Sequence, residues 1–240
     1  MAYPLLTAQH LTQATLVEYD PRGIKVMQLP NGNYLKVFRL RHLYGWARLH
    51  GYAQRFCKHA RKLESLGIPT VTIKQCYRVE DAKLLRAPGS NGAYGDRQQG
   101  MHHTYVVEYA PLAGETLKHL LEHQMLERSL IVKLGGFIAE LHAKGIYFRS
   151  LHLGNIVLTP QGQLGLIDIA DMDIYPWSLW FTTRLRSFRH LTRYAKLNAA
   201  FGQENWHLLL ESYLNQVRFG LFKTTWLTNK MHHFLLHPPH

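Results

Sequence analysis

The chain has 240 residues, 46% of them hydrophobic, and a formal net charge of +12 with a pI near 9.8. That length and apolar content suffice for a full core and suit one fold of two lobes better than two independent domains. The basic balance predicts an anionic partner, whether nucleic acid, phospholipid, nucleotide or phosphorylated sugar. Cys57 and Cys76 are too few for a disulfide framework or a thiolate metal site and are expected to be reduced. Met1-Ala2-Tyr3-Pro4 lacks the basic region and apolar core of a signal peptide, and no apolar run approaches the ~18–20 residues that span a bilayer. A cytoplasmic chain, soluble or peripheral, is the expectation.

Thr15–Tyr19, Ile24–Leu29 and Tyr34–Phe38 are short β-like runs separated by Asp20-Pro21-Arg22-Gly23 and Pro30-Asn31-Gly32-Asn33, which predicts a three-stranded meander. Lys36 stands mid-strand between apolar neighbours. From about Leu43 to Leu66 the pattern is helical and ends at Gly67-Ile68-Pro69. No acid occurs between Val37 and Leu63, while Arg39, Arg41, Arg48, Arg55, Lys58, Arg61 and Lys62 alternate with Tyr44, Trp46 and Tyr52. A solvated face usually mixes both signs, so this one reads as a surface for phosphates or simply as a solubilising face. Val71–Val79 is a further strand, Ala87–Asp96 a loop rich in turn residues, and Thr104–Tyr109 a strand that runs into Ala110-Pro111-Leu112-Ala113-Gly114. This last junction is predicted to be a hinge, over about 108–114, between an N-terminal lobe (1–109) and a C-terminal lobe (110–240). Helices are predicted over Thr116–His123 and Leu126–Lys144, the second with the apolar stripe Leu130, Ile131, Leu134, Ile138 and Leu141. His142 is expected to tie the segment after it to the core.

The most informative stretch runs from Tyr147 to Ala170. Phe148-Arg149-Ser150 is followed after four residues by Asn155, then by two apolar runs, Ile156–Leu158 and Leu164–Ile167, separated by the turn Thr159–Gln163, and then by Asp168. This is the layout of a kinase catalytic loop, a hairpin and a metal-binding Asp, with Ser150 where the usual pattern has its Asp base. Phosphoryl transfer rests on positioning and charge neutralisation, so it needs oxygen ligands that converge on Mg²⁺ from different segments. Asn155 and Asp168 are the candidate pair. Taken singly, Leu153-Gly154-Asn155 is also an ordinary turn and Asp168 a cap. In the same frame Lys36 is the residue that would reach the α- and β-phosphates of ATP, and backbone groups at Glu108 and Ala110 would read the adenine. Arg149 and Ser150 fall in the catalytic segment, and Asp171, ahead of His152, is the candidate substitute base. His152 is expected to pack within its own loop. Further on, Arg184, Arg186, Arg189, Arg193 and Lys196 lie beside Trp177, Trp180, Phe181 and Phe188, a combination that suits a membrane surface or RNA equally.

Leu141–Tyr147, Phe148–Asn155 and Leu166-Ile167-Asp168 together resemble the lipopolysaccharide-core sugar kinases (Kdo/heptose kinases), most closely the bacterial toluene tolerance proteins. The likeness runs from the Lys36 strand to about Tyr194, with Lys62–Thr70 similar to the segment before the fourth strand and Arg186–Leu191 similar to a basic segment after the metal-binding Asp. It implies an α+β fold of the bilobal protein-kinase-like type, with a small β-rich N-lobe and a mainly helical C-lobe. It also implies ATP and Mg²⁺ as cofactors and a sugar hydroxyl of the inner core, or a related anionic glycolipid, as acceptor at the inner face of the inner membrane. Lys36, Asn155 and Asp168 match that pattern directly. The base does not, since Ser150 stands there, and the helix glutamate that would hold the lysine falls near Phe56. Two readings follow, an ATP-dependent phosphotransferase and a pseudokinase that binds nucleotide or scaffolds envelope assembly. A nucleic-acid-binding protein would account for the charge but not for the spacing of these three residues.

Overall fold

The computed structural model describes residues 3–21, 23–39, 51–85, 104–217 and 219–237. The predicted loop at 87–96 and the first part of the predicted basic helix, up to residue 50, lie outside them. The fold is mixed α+β, and the chain divides into two compact units, Met1–Ser65 with Thr70–Pro111 and Leu66–Pro69 with Leu112–His240.

In the first unit five strands form one antiparallel sheet: β1 (Thr15–Asp20), β2 (Gly23–Gln28), β3 (Tyr34–Phe38), β4 (Thr72–Val79) and β5 (Thr104–Ala110), in the spatial order β1-β2-β3-β5-β4. The predicted meander supplies three consecutive strands, and β5 then inserts between β3 and β4. Side chains alternate across the sheet. Leu35 and Val37 turn to one face and join Tyr77, Val79 and Val106 in a buried cluster. Tyr34, Lys36 and Phe38 turn to the other, where α1 (Gly51–Ser65) lies against β4 and β5. Ala53, Phe56, Cys57, Ala60 and Leu63 are the buried stripe of α1, at the 3–4 residue spacing of a helix face. Cys57 and Cys76 are free and buried. Their thiols hydrogen-bond each other, which pushes the Cys57 thiol down and the Cys76 thiol up.

The second unit contains α2 (Leu117–Glu122), α3 (Arg128–Ala143), α4 (Phe181–Leu191), α5 (Ala195–Phe201), α6 (Gln203–Gln216) and α7 (Leu221–Leu236), with two small antiparallel sheets. The predicted stripe of α3 is buried against α6. The two helices approach closely at Gly135, where an added Cβ would sit 2.5 Å from the Leu209 carbonyl oxygen, and Ser212 Oγ donates to the Val132 carbonyl (2.6 Å). One sheet joins β6 (Glu115–Thr116), β8 (Ile156–Leu158) and β9 (Leu164–Leu166); the other pairs β7 (Ile146–Phe148) with β10 (Met172–Ile174). The chain enters β7 through Gly145, with φ near +75°, where a Cβ would lie 2.3 and 2.4 Å from the carbonyl oxygens of Tyr175 and Trp177. Only glycine accommodates both the left-handed conformation and that approach. Among the described residues no helix is long and apolar enough to cross a membrane.

Candidate functional site

The hairpin of β8 and β9 builds the centre of the second unit's site. Its register is Ile156↔Leu166, Val157↔Gly165 and Leu158↔Leu164, closed by a turn in which Gly162 N–H donates to the Thr159 carbonyl (2.8 Å). Asn155 enters this ladder and Asp168 leaves it, so an antiparallel pairing returns them to the same open end. The bond from Ile167 N–H to the Asn155 carbonyl (3.0 Å) fixes that return one residue before Asp168. Asn155 is buried, and its amide nitrogen donates to the Ser150 carbonyl (2.9 Å), which leaves the amide oxygen as the group that can ligate a cation. Asp168 is exposed and has φ near +53°. Asp tolerates the left-handed region better than most residues, yet it is strained there by on the order of 1 kcal/mol, and such strain gathers at functional positions. One carboxylate and one amide oxygen are hard ligands in the number Mg²⁺ takes from a protein when phosphates and water complete its octahedron. Among the described residues no group of three or more His, Cys, Asp or Glu forms a self-sufficient metal site.

The segment Phe148-Arg149-Ser150 is held by ion pairs. Asp171, just before β10, and Asp173 within it flank the fully buried Met172 and so share a face. Arg149 bridges them: Nε donates to Asp171 Oδ1 (2.7 Å) and Nη1 to Asp173 Oδ2 (2.5 Å), while its N–H donates to the Asp171 carbonyl (3.1 Å). Burial works against the Arg149 charge, but the two aspartates outweigh it and its pKa rises. The Ser150 hydroxyl makes no hydrogen bond among the described residues. His152 caps the turn Leu153–Asn155, with Nδ1 accepting from Gly154 N–H (3.1 Å), and its ring meets Tyr194 edge-on at 5.1 Å. Burial and then Arg193 lower its pKa, against the opposing charge of Asp168. With that lone pair occupied, the neutral ring carries its proton on Nε2. It therefore has no open lone pair with which to take a proton.

A second chain of contacts flanks the segment. Arg193 Nη2 reaches both the Arg149 carbonyl (3.4 Å) and His190 Nδ1 (2.8 Å), and His190 Nε2 lies 2.9 Å from the Tyr147 hydroxyl. Since arginine only donates, His190 accepts at Nδ1 and donates from Nε2 to Tyr147. Burial, then Arg193 and Arg149, depress its pKa. His142 is fully buried beneath, with Nδ1 3.0 Å from the Tyr213 hydroxyl, which also accepts from Arg184 Nη1 (3.3 Å). His142 thus ties α3 to α6. Burial first, and then Arg184, push its pKa down to about 3.

Lys36, Glu108 and Ala110 belong to the first unit. Lys36 pairs with Val26 on one side and Val107 on the other, and its Nζ lies 5.6 Å from the centre of the Phe56 ring and 5.9 Å from that of Phe38. Glu108 is paired to both β3 and β4, with its carboxylate accepting from Asn33 Nδ2 (2.7 Å) and the Tyr77 hydroxyl (3.0 Å). Burial and that carboxylate push the Tyr77 pKa up to about 12. Ala110 closes β5 opposite Thr72. Of the sequence-derived residues, Arg149, Ser150, Asn155, Asp168 and Asp171 thus come from one continuous piece of the second unit. Sequence reasoning missed Asp173, Tyr147 and His190, and placed Arg193 only among the basic residues of the C-terminal region. The alternation Asp171-Met172-Asp173, two acids around an apolar residue at strand spacing, was the available signal for the first of these.

No protein-family model matches the chain, and no curated protein matches it.

Proposed function

We propose that the chain is an ATP-dependent phosphotransferase acting on a sugar hydroxyl of lipopolysaccharide core or a related anionic envelope glycolipid, in the cytoplasm at the inner face of the inner membrane. The observation that carries this reading is the return of Asn155 and Asp168 to one end of the β8–β9 hairpin, with the Asn155 amide nitrogen engaged by Ser150 and Asp168 held left-handed. Bound Mg²⁺ would neutralise charge on the transferred phosphoryl group. The protein's part is positioning. Asn155 and Asp168 present oxygens to the cation, Ser150 offers a hydroxyl to orient the acceptor, and Arg149 holds the segment against Asp171 and Asp173. Asp171 Oδ1 is taken by Arg149, and Oδ2 is the atom with which it would accept the acceptor proton. Lys36 is assigned to the nucleotide phosphates by the sequence resemblance alone.

The second reading, a nucleotide-binding pseudokinase, draws on different observations: a serine in place of the base, an occupied His152 lone pair, Asp171 in an ion pair, and an aromatic ring of α1 under Lys36. A turnover assay separates the two. Purified protein with Mg-ATP and core oligosaccharide should release ADP and leave phosphate on the sugar. Nucleotide binding without phosphate transfer to any core acceptor would establish the pseudokinase, and absence of nucleotide binding would reject both.

A further inference from the structure

We propose that the second unit carries a docking surface for an anionic lipid bilayer, formed by the exposed stripe Arg186, Arg189 and Arg193 together with the apolar tips Trp180, Leu221 and Phe222. This surface stands whether or not the phosphotransferase reading holds.

The surface follows from how α4 and α7 are packed. Arg184, Ser187, Phe188 and Leu191 are the buried side of α4. Thr182, Arg186, Arg189 and, just past the helix, Arg193 are exposed and recur at intervals of four, three and four residues, which puts them on the opposite side. The Phe181 ring packs 5.2 Å from both Phe219 and Trp226, so the first turns of α4 and α7 lie together. At that junction the large side chains face water: Trp180, which precedes α4, is 75% exposed, and Leu221 and Phe222, which open α7, are each 83% exposed. Trp177 is exposed as well, stacked on Tyr175 at 5.9 Å. An apolar tip beside a basic stripe is the composition of a surface that lies in a bilayer interface, with Trp and Tyr at headgroup depth and Leu and Phe below them.

Charge decides the kind of membrane. From Ile174 to the end of the chain the only acids are Glu204 and Glu211, both on α6, against eight lysines and arginines. Leu221 argues for lipid over RNA, because an aliphatic side chain gives no stacking platform to a base but does bury itself among acyl chains. The stripe also has a direction. It runs about 16 Å, at 1.5 Å per residue, from Thr182 to Arg193 just past the end of α4, and the Arg193 Nη2 contacts the Arg149 carbonyl next to Ser150. Headgroups gathered along it therefore lie within one helix length of the candidate site.

Co-sedimentation of the full chain with vesicles of phosphatidylcholine alone, and with about one-third phosphatidylglycerol added, tests the proposal. Binding is expected only to the anionic vesicles. Arg186→Ser with Arg189→Ser should weaken it by roughly 25-fold, near fivefold for each basic side chain, and Trp180→Ser with Phe222→Ser should abolish what persists at high salt. Circular dichroism checks that each variant is folded. Wild-type protein that ignores the anionic vesicles, binds both kinds equally, or is retained by polyuridylate RNA but not by vesicles would overturn the proposal, as would undiminished binding by the folded arginine variant. Nucleotide titration of the same preparations reads the phosphotransferase reading separately.

Discussion

Ser150 is the residue on which the proposed phosphotransferase chemistry turns. A hydroxyl does not accept a proton at neutral pH as a carboxylate does, and a lost general base is worth ~10²–10⁴ in rate. If Asp171 supplies that function through Oδ2, Asp171→Asn should lower turnover by about 10²-fold or more, while Ser150→Ala lowers it only severalfold. Asp173→Asn is the control: it removes the other carboxylate from Arg149 and should leave turnover within severalfold of wild type. Equal losses from Asp171→Asn and Asp173→Asn would assign both to holding Arg149. Much at this scale was legible in the sequence. The Ser150 substitution and the lack of a helix glutamate opposite Lys36 are plain from spacing, but what occupies the gap is not. That Phe56 lies beneath Lys36 depends on the rotation of α1 over the sheet, which three-dimensional packing fixes. Likewise the Arg149 bridge to two aspartates arises because β7 pairs with β10, across a separation that no local pattern encodes.

At the scale of elements, the segment Phe148-Arg149-Ser150 is set by what precedes it. Gly145 combines a left-handed backbone with two carbonyl oxygens inside 2.5 Å of the place a Cβ would take. Gly145→Ala should destabilise the protein by about 2–4 kcal/mol, through the strained backbone and the displaced Tyr175–Trp177 segment; chemical denaturation would measure it. A loss under about 1 kcal/mol would mean that this turn relaxes freely. β1 to β3 were readable as short β-like runs bounded by turn residues, and β8 and β9 as short apolar runs on either side of the turn Thr159–Gln163. β7 and β10 were not, since they pair at long sequence separation with no hairpin turn between them to mark either strand. The order β3-β5-β4 was also hidden, because strand neighbours far apart in sequence are chosen by tertiary packing.

For the molecule as a whole, both the charge and the buried histidine shape behaviour with pH. His142 is neutral in the folded state, with its pKa held at about 3 against an ordinary value near 6.5. A folded pKa below the unfolded one gives stability that is complete above pH ~6.5 and is lost as pH falls toward 3, because the unfolded chain binds the proton first. His152 and His190, also depressed by burial, act in the same direction. Stability should therefore fall by up to about 1.4 kcal/mol per pH unit from His142 below about pH 6. Denaturation series on wild type and a folded His142→Gln variant would read it: the variant should show the shallower slope, and identical slopes would remove His142 from the account.

The central claim is that Asn155 and Asp168 form one cation site. Calorimetric titration with ATP, with Mg²⁺ and with a chelator, in wild type and in Asp168→Asn, tests it most directly. Wild type should bind ATP more tightly with Mg²⁺, and the folded variant should lose that Mg²⁺-dependent gain. Mg²⁺-ATP affinity unchanged in a folded Asp168→Asn protein would contradict it.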